Sequence, residues 1–265
     1  MTTTQAPTQA QKAAQFQALH QSGVFIMPNP WDAGSARMLE GMGYRALATS
    51  SGAAAGVLGR KDGEITREEA LAHARAIVLA SALPVAADLE NGFGDAPADA
   101  LLTIRRAAEI GLVGGSIEDS SGVQTRQIYA FNHAVERIAA AVEAARAQAF
   151  PFTLTARCEN FLRGNPDIED TIRRLQAYEK AGADVLFAPA LPNIEAVRLV
   201  CQALAKPFNF MVGIKGKSFS VAELEAAGVR RISLATSLYR AAMAGMQAAA
   251  EEIKTGGTFG FLDRL

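Results

Sequence analysis

"KAGADVLFAP" (residues 180–189) and "AAGVRRISLA" (residues 226–235) set the frame for the whole chain. Each leaves a helical pattern, passes through one glycine and enters a short apolar run. Glycine at that point closes a helix, because it takes the left-handed conformation without the penalty a side chain brings. Runs of Val, Ile, Leu and Phe just behind it suit strands buried on both faces of a parallel sheet. Working outward, eight strand candidates emerge: 24–29, 46–51, 85–90, 114–119, 152–158, 184–189, 208–213 and 231–235. Ala/Leu/Arg/Glu-rich stretches of helical period follow them, as at 66–81, 97–111, 132–149 and 166–181. Thr66 with Glu69 reads as a capping box, and Asn165-Pro166 as a helix opening. Eight βα units in 265 residues are what a (β/α)8, or TIM, barrel requires. The alternative is a doubly wound open sheet, but no G-x-G-x-x-G fingerprint follows the first strand.

The bulk composition agrees with a large buried core, at 49% hydrophobic residues. Lys plus Arg number 26 against 27 Asp plus Glu, which leaves no broad basic face for nucleic acid or a membrane and points to a small-molecule partner. Two cysteines, Cys158 and Cys201, are too few for a disulfide framework, and the reading is a soluble cytoplasmic protein. Residues 1–20 read as a flexible tail leading into the first helix, and 21–265 as one barrel domain without a linker. The last helix candidate, 236–254, carries a run of small residues suited to close packing within the chain or across a subunit interface.

Reacting groups in such a barrel sit at the carboxyl ends of the strands. Those ends read Ser50-Ser51-Gly52, Asp88 with Glu90, Glu118-Asp119, and Arg157-Cys158-Glu159-Asn160. Side chains two apart on a strand share a face, so Asp88 and Glu90 are expected to point together, with Glu118 arriving from the next strand. Three converging carboxylates repel one another unless a cation sits between them, and an oxygen-only set favours Mg2+ or Mn2+ over Zn2+. The same "DLENGFGD" (88–95) also reads as an Asp- and Gly-rich turn that merely ends a strand. Arg157 offers a fork for a carboxylate or phosphonate, or else a salt bridge to a rim carboxylate. Ser50 with the amides of Ser51 and Gly52 reads as a small-anion cradle or as a simple turn. Asp62, in "LGRKDGEIT" (58–66), lies on a loop that serves as a lid or as a polar turn. Its neighbours Arg60 and Lys61 are expected to lower its pKa and favour the ionised form.

Other reactive types read as structural. His20, His73 and His133 fall in helices away from strand ends, Cys158 faces the helices, Cys201 sits in a helix, and Lys215 and Lys217 read as solvated.

Taken together, "NPWDAGSARMLEGMGYRALATSS" (29–51), "LPVAADLENGFGD" (83–95), "GGSIEDS" (114–120), "LTARCENFL" (154–162) and "AYEKAGADVLF" (177–187) resemble the isocitrate lyase and phosphoenolpyruvate mutase superfamily. The resemblance covers about residues 24–240. It implies a (β/α)8 barrel whose last helix is exchanged between subunits of a tetramer or dimer. It also implies Mg2+ at the carboxyl end and a small 2-oxo or 2-hydroxy carboxylic acid substrate passing through an enolate. The family metal motif D-x-D-x-G-[YF]-G is matched by residues 88–94 with Glu90 in place of the second Asp, and I-E-D by Ile117-Glu118-Asp119. On this footing Asp88 is the direct metal ligand, Glu90 and Glu118 act through metal-bound water, and Arg157 with Ser50, Ser51 and Gly52 binds substrate. Asp62 matches a loop Asp of the mutase branch. The lyase lid motif K-K-C-G-H after strand four is replaced by "SSGVQTRQIYAFNHAVERI" (120–138), which has no cysteine. The phosphonate branches carry a longer lid with a Lys and an Asn or Thr that has no clear equivalent here. The resemblance thus implies C–C bond cleavage or decarboxylation first, with mutase or hydrolase chemistry, or a binding protein of reduced turnover, as alternatives.

Overall fold

A computed structural model describes residues 6–123 and 126–264. In chain order the strands are β1 (Phe25–Met27), β2 (Leu47–Ala48), β3 (Val85–Asp88), β4 (Gly114–Glu118), β5 (Ser120–Val123), β6 (Arg126–Ile128), β7 (Thr153–Arg157), β8 (Val185–Phe187), β9 (Phe208–Met211) and β10 (Arg231–Ser233). The helices are α1 (Gln9–Leu19), α2 (Ala33–Gly41), α3 (Ser51–Val57), α4 (Arg67–Ala80), α5 (Pro97–Glu109), α6 (Phe131–Arg146), α7 (Ile168–Ala181), α8 (Ile194–Gln202), α9 (Val221–Ala226) and α10 (Ser237–Gly256). Eight strands form one parallel sheet in the order β1-β10-β9-β8-β7-β4-β3-β2, while β5 and β6 make a separate antiparallel hairpin. At the seam between β1 and β2, Ala48 N donates to Pro28 O at 3.1 Å. Asn29 stitches the same seam: its Nδ2 donates to Thr49 O at 2.9 Å and its Oδ1 accepts from Leu234 N at 2.8 Å. The sheet is thereby a nearly closed (β/α)8 barrel, as the repeated βα pattern predicts.

Local chemistry explains the helix ends. Thr66 and Glu69 form the expected capping box, and Gly182 closes α7 at φ 107°. The expected start of α7 at Asn165-Pro166 moves to Asp167, whose Oδ1 accepts from Asp170 N at 2.9 Å and so provides the better cap. Part of the expected tail is ordered. Thr8 caps α1, Gln9 Nε2 donates to Ala108 O at 2.8 Å, and Phe16 plugs the amino end of the barrel among Phe25, Met27, Ala46 and Val113. Gly114 is required beneath that plug, since a Cβ there would stand 2.8 Å from Thr153 O and 2.9 Å from the Phe16 ring.

Every barrel strand stops one to three residues short of its expected carboxyl end, because the rim residues leave the sheet to build loops. The short helix α3 and the β5–β6 hairpin were not expected. Ser-Ser-Gly segments carry neither a helical nor an alternating apolar period. In α10 no residue is buried within the single chain, and exchange of this helix between subunits is not seen in one chain. No helix among the described residues is long and apolar enough to cross a membrane.

Candidate active site

The loop after β3 is held in an unusual conformation. Glu90 (φ 50°) and Phe93 (φ 59°) adopt left-handed backbone, as does Gly92 (φ 85°), where a Cβ would come within 2.9 Å of Ala100 Cα. Thr103 Oγ1 and Arg67 Nη2 donate to Gly92 O at 2.8 and 3.1 Å, and Arg137 donates to the carbonyls of Asn91 and Asp95. This clamp corrects one expectation: β3 ends at Asp88, so strand alternation does not orient Glu90. A positive φ turns it instead, with Glu90 N donating to Asp88 Oδ1 at 3.2 Å. Of the three acids in this stretch, Asp95 is taken up by Tyr129, whose hydroxyl donates to it at 2.6 Å.

Arg157, at the end of β7, lies among carboxylates. Its Nε stands 2.5 Å from Glu159 Oε1 and 3.4 Å from Glu118 Oε2, its Nη1 lies 3.4 Å from Asp88 Oδ2, and the guanidinium stacks over the Phe187 ring at 4.9 Å. Burial works against its charge, but Glu159, Glu118 and Asp88 outweigh it and raise the pKa. The salt-bridge reading of Arg157 is therefore present. Its Nη2 makes no hydrogen bond or ion pair among the described residues, so one face of the fork is left to point at a ligand. Arg163 adds a second guanidinium, 3.1 Å from Glu159 Oε2 and 3.5 Å from Glu118 Oε1. Arg157, Arg163 and Glu118 face a cavity of about 760 Å³, lined also by Ser51, Asp62 and Glu90.

Opposite Arg157, Ser51 Oγ donates to Asp88 Oδ2 at 3.1 Å, and Asp62 lies beside Ser51 on the same cavity. Asp62 lies over Gly52, whose missing Cβ makes room for Thr236, since a Cβ there would stand 2.9 Å from Thr236 Cγ2 and in ordinary contact with the Asp62 carboxylate at 3.4 Å. Ser50, expected to offer its hydroxyl to an anion, caps α3 instead, facing Ala53 N at 3.5 Å. The amides of Ser51 and Gly52 open that helix and have no intrahelical carbonyl to bond. The expected lowering of the Asp62 pKa is reversed: burial, then Asp88, raises it. Arg60 is drawn off to Glu69 at 2.8 Å and does not compensate.

The donor set can be tested against a divalent cation. Asp62, Asp88, Glu90, Glu118 and Glu159 are gathered around two guanidinium groups, Arg157 and Arg163. Glu90 Oε1 is buried with no hydrogen-bond partner, and burial, then Asp88 and Asp62, pushes the Glu90 pKa up to about 8. Burial, then Glu159, likewise raises that of Glu118. Excess negative charge and an orphaned buried oxygen both fit a hard cation. However, no group of three or more His, Cys, Asp or Glu side chains among the described residues stands ready to share one ion. A hydrated ion held through one carboxylate suits this arrangement, and Mg2+ ordinarily keeps several waters.

Sequence reasoning passed over Glu159, Arg163 and Asp119. Glu159 and Asp119 stood at strand ends beside residues already singled out, which was the available signal. Asp119 is structural: it accepts from Glu159 N at 2.7 Å and from Tyr178 Oη at 2.7 Å. Arg163 lies in a loop and carried no signal. Cys158 is fully buried, and burial, then Asp119, raises its thiol pKa, as expected of a packed cysteine. Cys201 lies in α8, partly buried. His73 and His133 bond the carbonyls of Trp31 and Asp95 through Nε2, at 2.8 and 2.9 Å. Lys217, expected to be solvated, donates to Ala190 O at 3.3 Å. In the segment that replaces the cysteine lid, residues 124 and 125 lie outside the described residues.

The sequence profile of phosphoenolpyruvate phosphomutase matches residues 16–254. A crystal structure from Burkholderia cenocepacia J2315, provisionally described as a lyase/mutase, is 52% identical, with a TM-score of 0.95 over 96% of this chain and 92% of that one. The 2-methylisocitrate lyase of Escherichia coli (strain K12) is 30% identical over 84% of this chain and 76% of its own length. The 2,3-dimethylmalate lyase of Eubacterium barkeri is 30% identical over 77% and 72%.

Proposed function

The chain belongs to the phosphoenolpyruvate phosphomutase family, in the isocitrate lyase and phosphoenolpyruvate mutase superfamily, and on that premise we propose that it is a Mg2+-dependent lyase that breaks a C–C bond in a small 2-oxo or 2-hydroxy carboxylic acid. The observation that carries the reading is the juxtaposition of Asp88, at the edge of an anion-rich donor set, with an Arg157 whose Nη2 is uncommitted, 3.4 Å apart, where Arg157 also lines the large rim cavity. A 2-oxo acid needs both partners, a cation for its two adjacent oxygens and a guanidinium for its carboxylate. Relatives named for 2-methylisocitrate and 2,3-dimethylmalate cleavage favour C–C bond breaking.

Asp88 would hold Mg2+ (or Mn2+) directly, with Glu90 and Glu118 orienting its water. The bound ion supplies Lewis-acid stabilisation of the negative charge that develops on the oxo-acid oxygens as the bond beside the carbonyl breaks. Arg157 fixes the substrate carboxylate, while Glu159 and Glu118 keep the guanidinium charged and aimed. The amides of Ser51 and Gly52 bind a second oxygen, and Ser51 Oγ orients Asp88. Asp62 holds the proton: its raised pKa suits a group that must donate as well as accept, in a lid region without the cysteine of the lyase branches.

Asp88→Ala is expected to abolish Mg2+ and oxalate binding by calorimetry, and unchanged oxalate affinity would remove the metal-centred reading. The wild-type protein should release a 2-oxo acid from one member of a panel of oxaloacetate, methylisocitrate, isocitrate and phosphonopyruvate. Product from phosphonopyruvate alone would favour the mutase or hydrolase branch for which the family is named. Saturable binding with no product from any member would favour a ligand-binding protein.

A further inference from the structure

TIM-barrel interiors are ordinarily filled by Val, Ile and Leu. Here inward positions carry Ser116, Thr155, Asn209, Arg231 and Ser233. Arg231 opens β10, and only 3% of it is exposed. A guanidinium brings five N–H donors and a full charge, and a buried one is normally paired with a carboxylate. Arg231 has neutral partners only: Nε donates to Asn209 Oδ1 at 2.7 Å, Nη2 to Thr155 Oγ1 at 2.9 Å, and Nη1 to His20 Nε2 at 3.3 Å. His20 is not a counter-charge. Its Nδ1 lies 2.8 Å from Phe16 O, which can only accept, so the proton sits on Nδ1 and Nε2 receives from Arg231. Burial, then the Arg231 charge, lowers the His20 pKa to about 3, and burial lowers that of Arg231 to about 9. No ion pair joins Arg231 to a carboxylate among the described residues.

Arg231 borders a cavity of about 50 Å³ inside the barrel, together with Thr155, Asn209, Ser233, Asp88 and Arg157. Thr155 Oγ1 accepts from Arg231 and Ser233 Oγ from Asn209 Nδ2, at 3.0 Å in the second case, so each hydroxyl keeps its own hydrogen to donate. Asp88, the one carboxylate on this lining, is engaged by Ser51 Oγ and Arg157. The space exceeds the share of one water in the liquid, about 30 Å³. It is far below the several hundred Å³, roughly 300 at least, of an organic-ligand site. Size and charge together select a single small ion.

We propose that the barrel interior binds one small monovalent inorganic anion, of the halide class, on Arg231 and the Thr155 and Ser233 hydroxyls. The ion neutralises a guanidinium that the fold buries without an acid. The ion is held by Arg231, Thr155 and Ser233, to which the proposed reaction assigns no role, so its test needs no substrate. Crystals of the wild-type protein grown in sodium bromide should show an anomalous peak beside Arg231. Thermal melting from 1 to 100 mM bromide, with ionic strength held constant by sodium gluconate, should rise by about 5 °C, the scale for a ligand that binds only the native state. Asn209→Asp places a carboxylate where Oδ1 now accepts from Arg231, so this variant is expected to fold and to melt independently of bromide. No anomalous peak, a water alone at that position, or an undiminished bromide response in Asn209→Asp overturns the proposal.

Discussion

Asp62 shows how far a single side chain is governed by surroundings that its neighbours in sequence do not reveal. Beside Arg60 and Lys61 it reads as an ionised lid acid, yet Arg60 bonds Glu69, and Asp62 turns in over Gly52 toward Ser51 and Asp88. Burial then raises its pKa, which moves the carboxyl toward the proton-carrying form that is able to donate. Asp62→Asn keeps the shape and removes the proton transfer. It is expected to leave Mg2+ and oxalate affinity nearly unchanged while slowing turnover about a hundredfold, the usual scale for one general acid or base. Full turnover in that variant would reduce Asp62 to a polar turn residue. Its place in a candidate lid loop was an expectation that the resemblance supplied. The upward shift of its pKa was not legible in the sequence, because desolvation is a property of the folded surface.

At the scale of elements, the carboxyl ends of the strands carry the lesson. The alternation rule holds while the chain is in the sheet, so Asp88 and Arg157 point into the site as read. It does not extend to Glu90, which lies past the end of β3 and takes a φ of 50°. What fixes that loop is Gly92, whose carbonyl is gripped by Thr103 and Arg67 and whose missing Cβ lets Ala100 approach. Gly92→Ala is therefore expected to cost about 2–3 kcal/mol in urea denaturation, from the left-handed φ and the clash with α5 together. The displaced loop should also weaken Mg2+ binding by calorimetry. A stability change of under about 0.5 kcal/mol would show that α5 yields to the added methyl.

At the scale of the whole molecule, α10 stands out. A barrel's last helix ordinarily covers the seam between the final and first strands, yet no α10 residue is buried in the single chain. Met246, Phe259 and Leu262 are each more than half exposed, at 63%, 58% and 57%. Met246 lies on α10 itself and Phe259 and Leu262 just beyond it, and apolar surface of this kind is what a second copy of the chain would cover. A homo-oligomer, tetramer over dimer, is the expected result of sedimentation at micromolar concentration, and a monomer alone would contradict it. The barrel itself, its eight strands and the rim residues Ser51, Asp88, Glu118 and Arg157 could all be read from the sequence, because strand period, helix caps and closing glycines are encoded within a few residues of one another. Only the tertiary structure decided that Glu159 pairs with Arg157, that Ser50 caps a helix, that Asp62 is buried and that Arg231 lies in the barrel with neutral partners. Ion pairing and desolvation depend on which groups meet across tens to hundreds of residues, and local pattern does not specify those meetings.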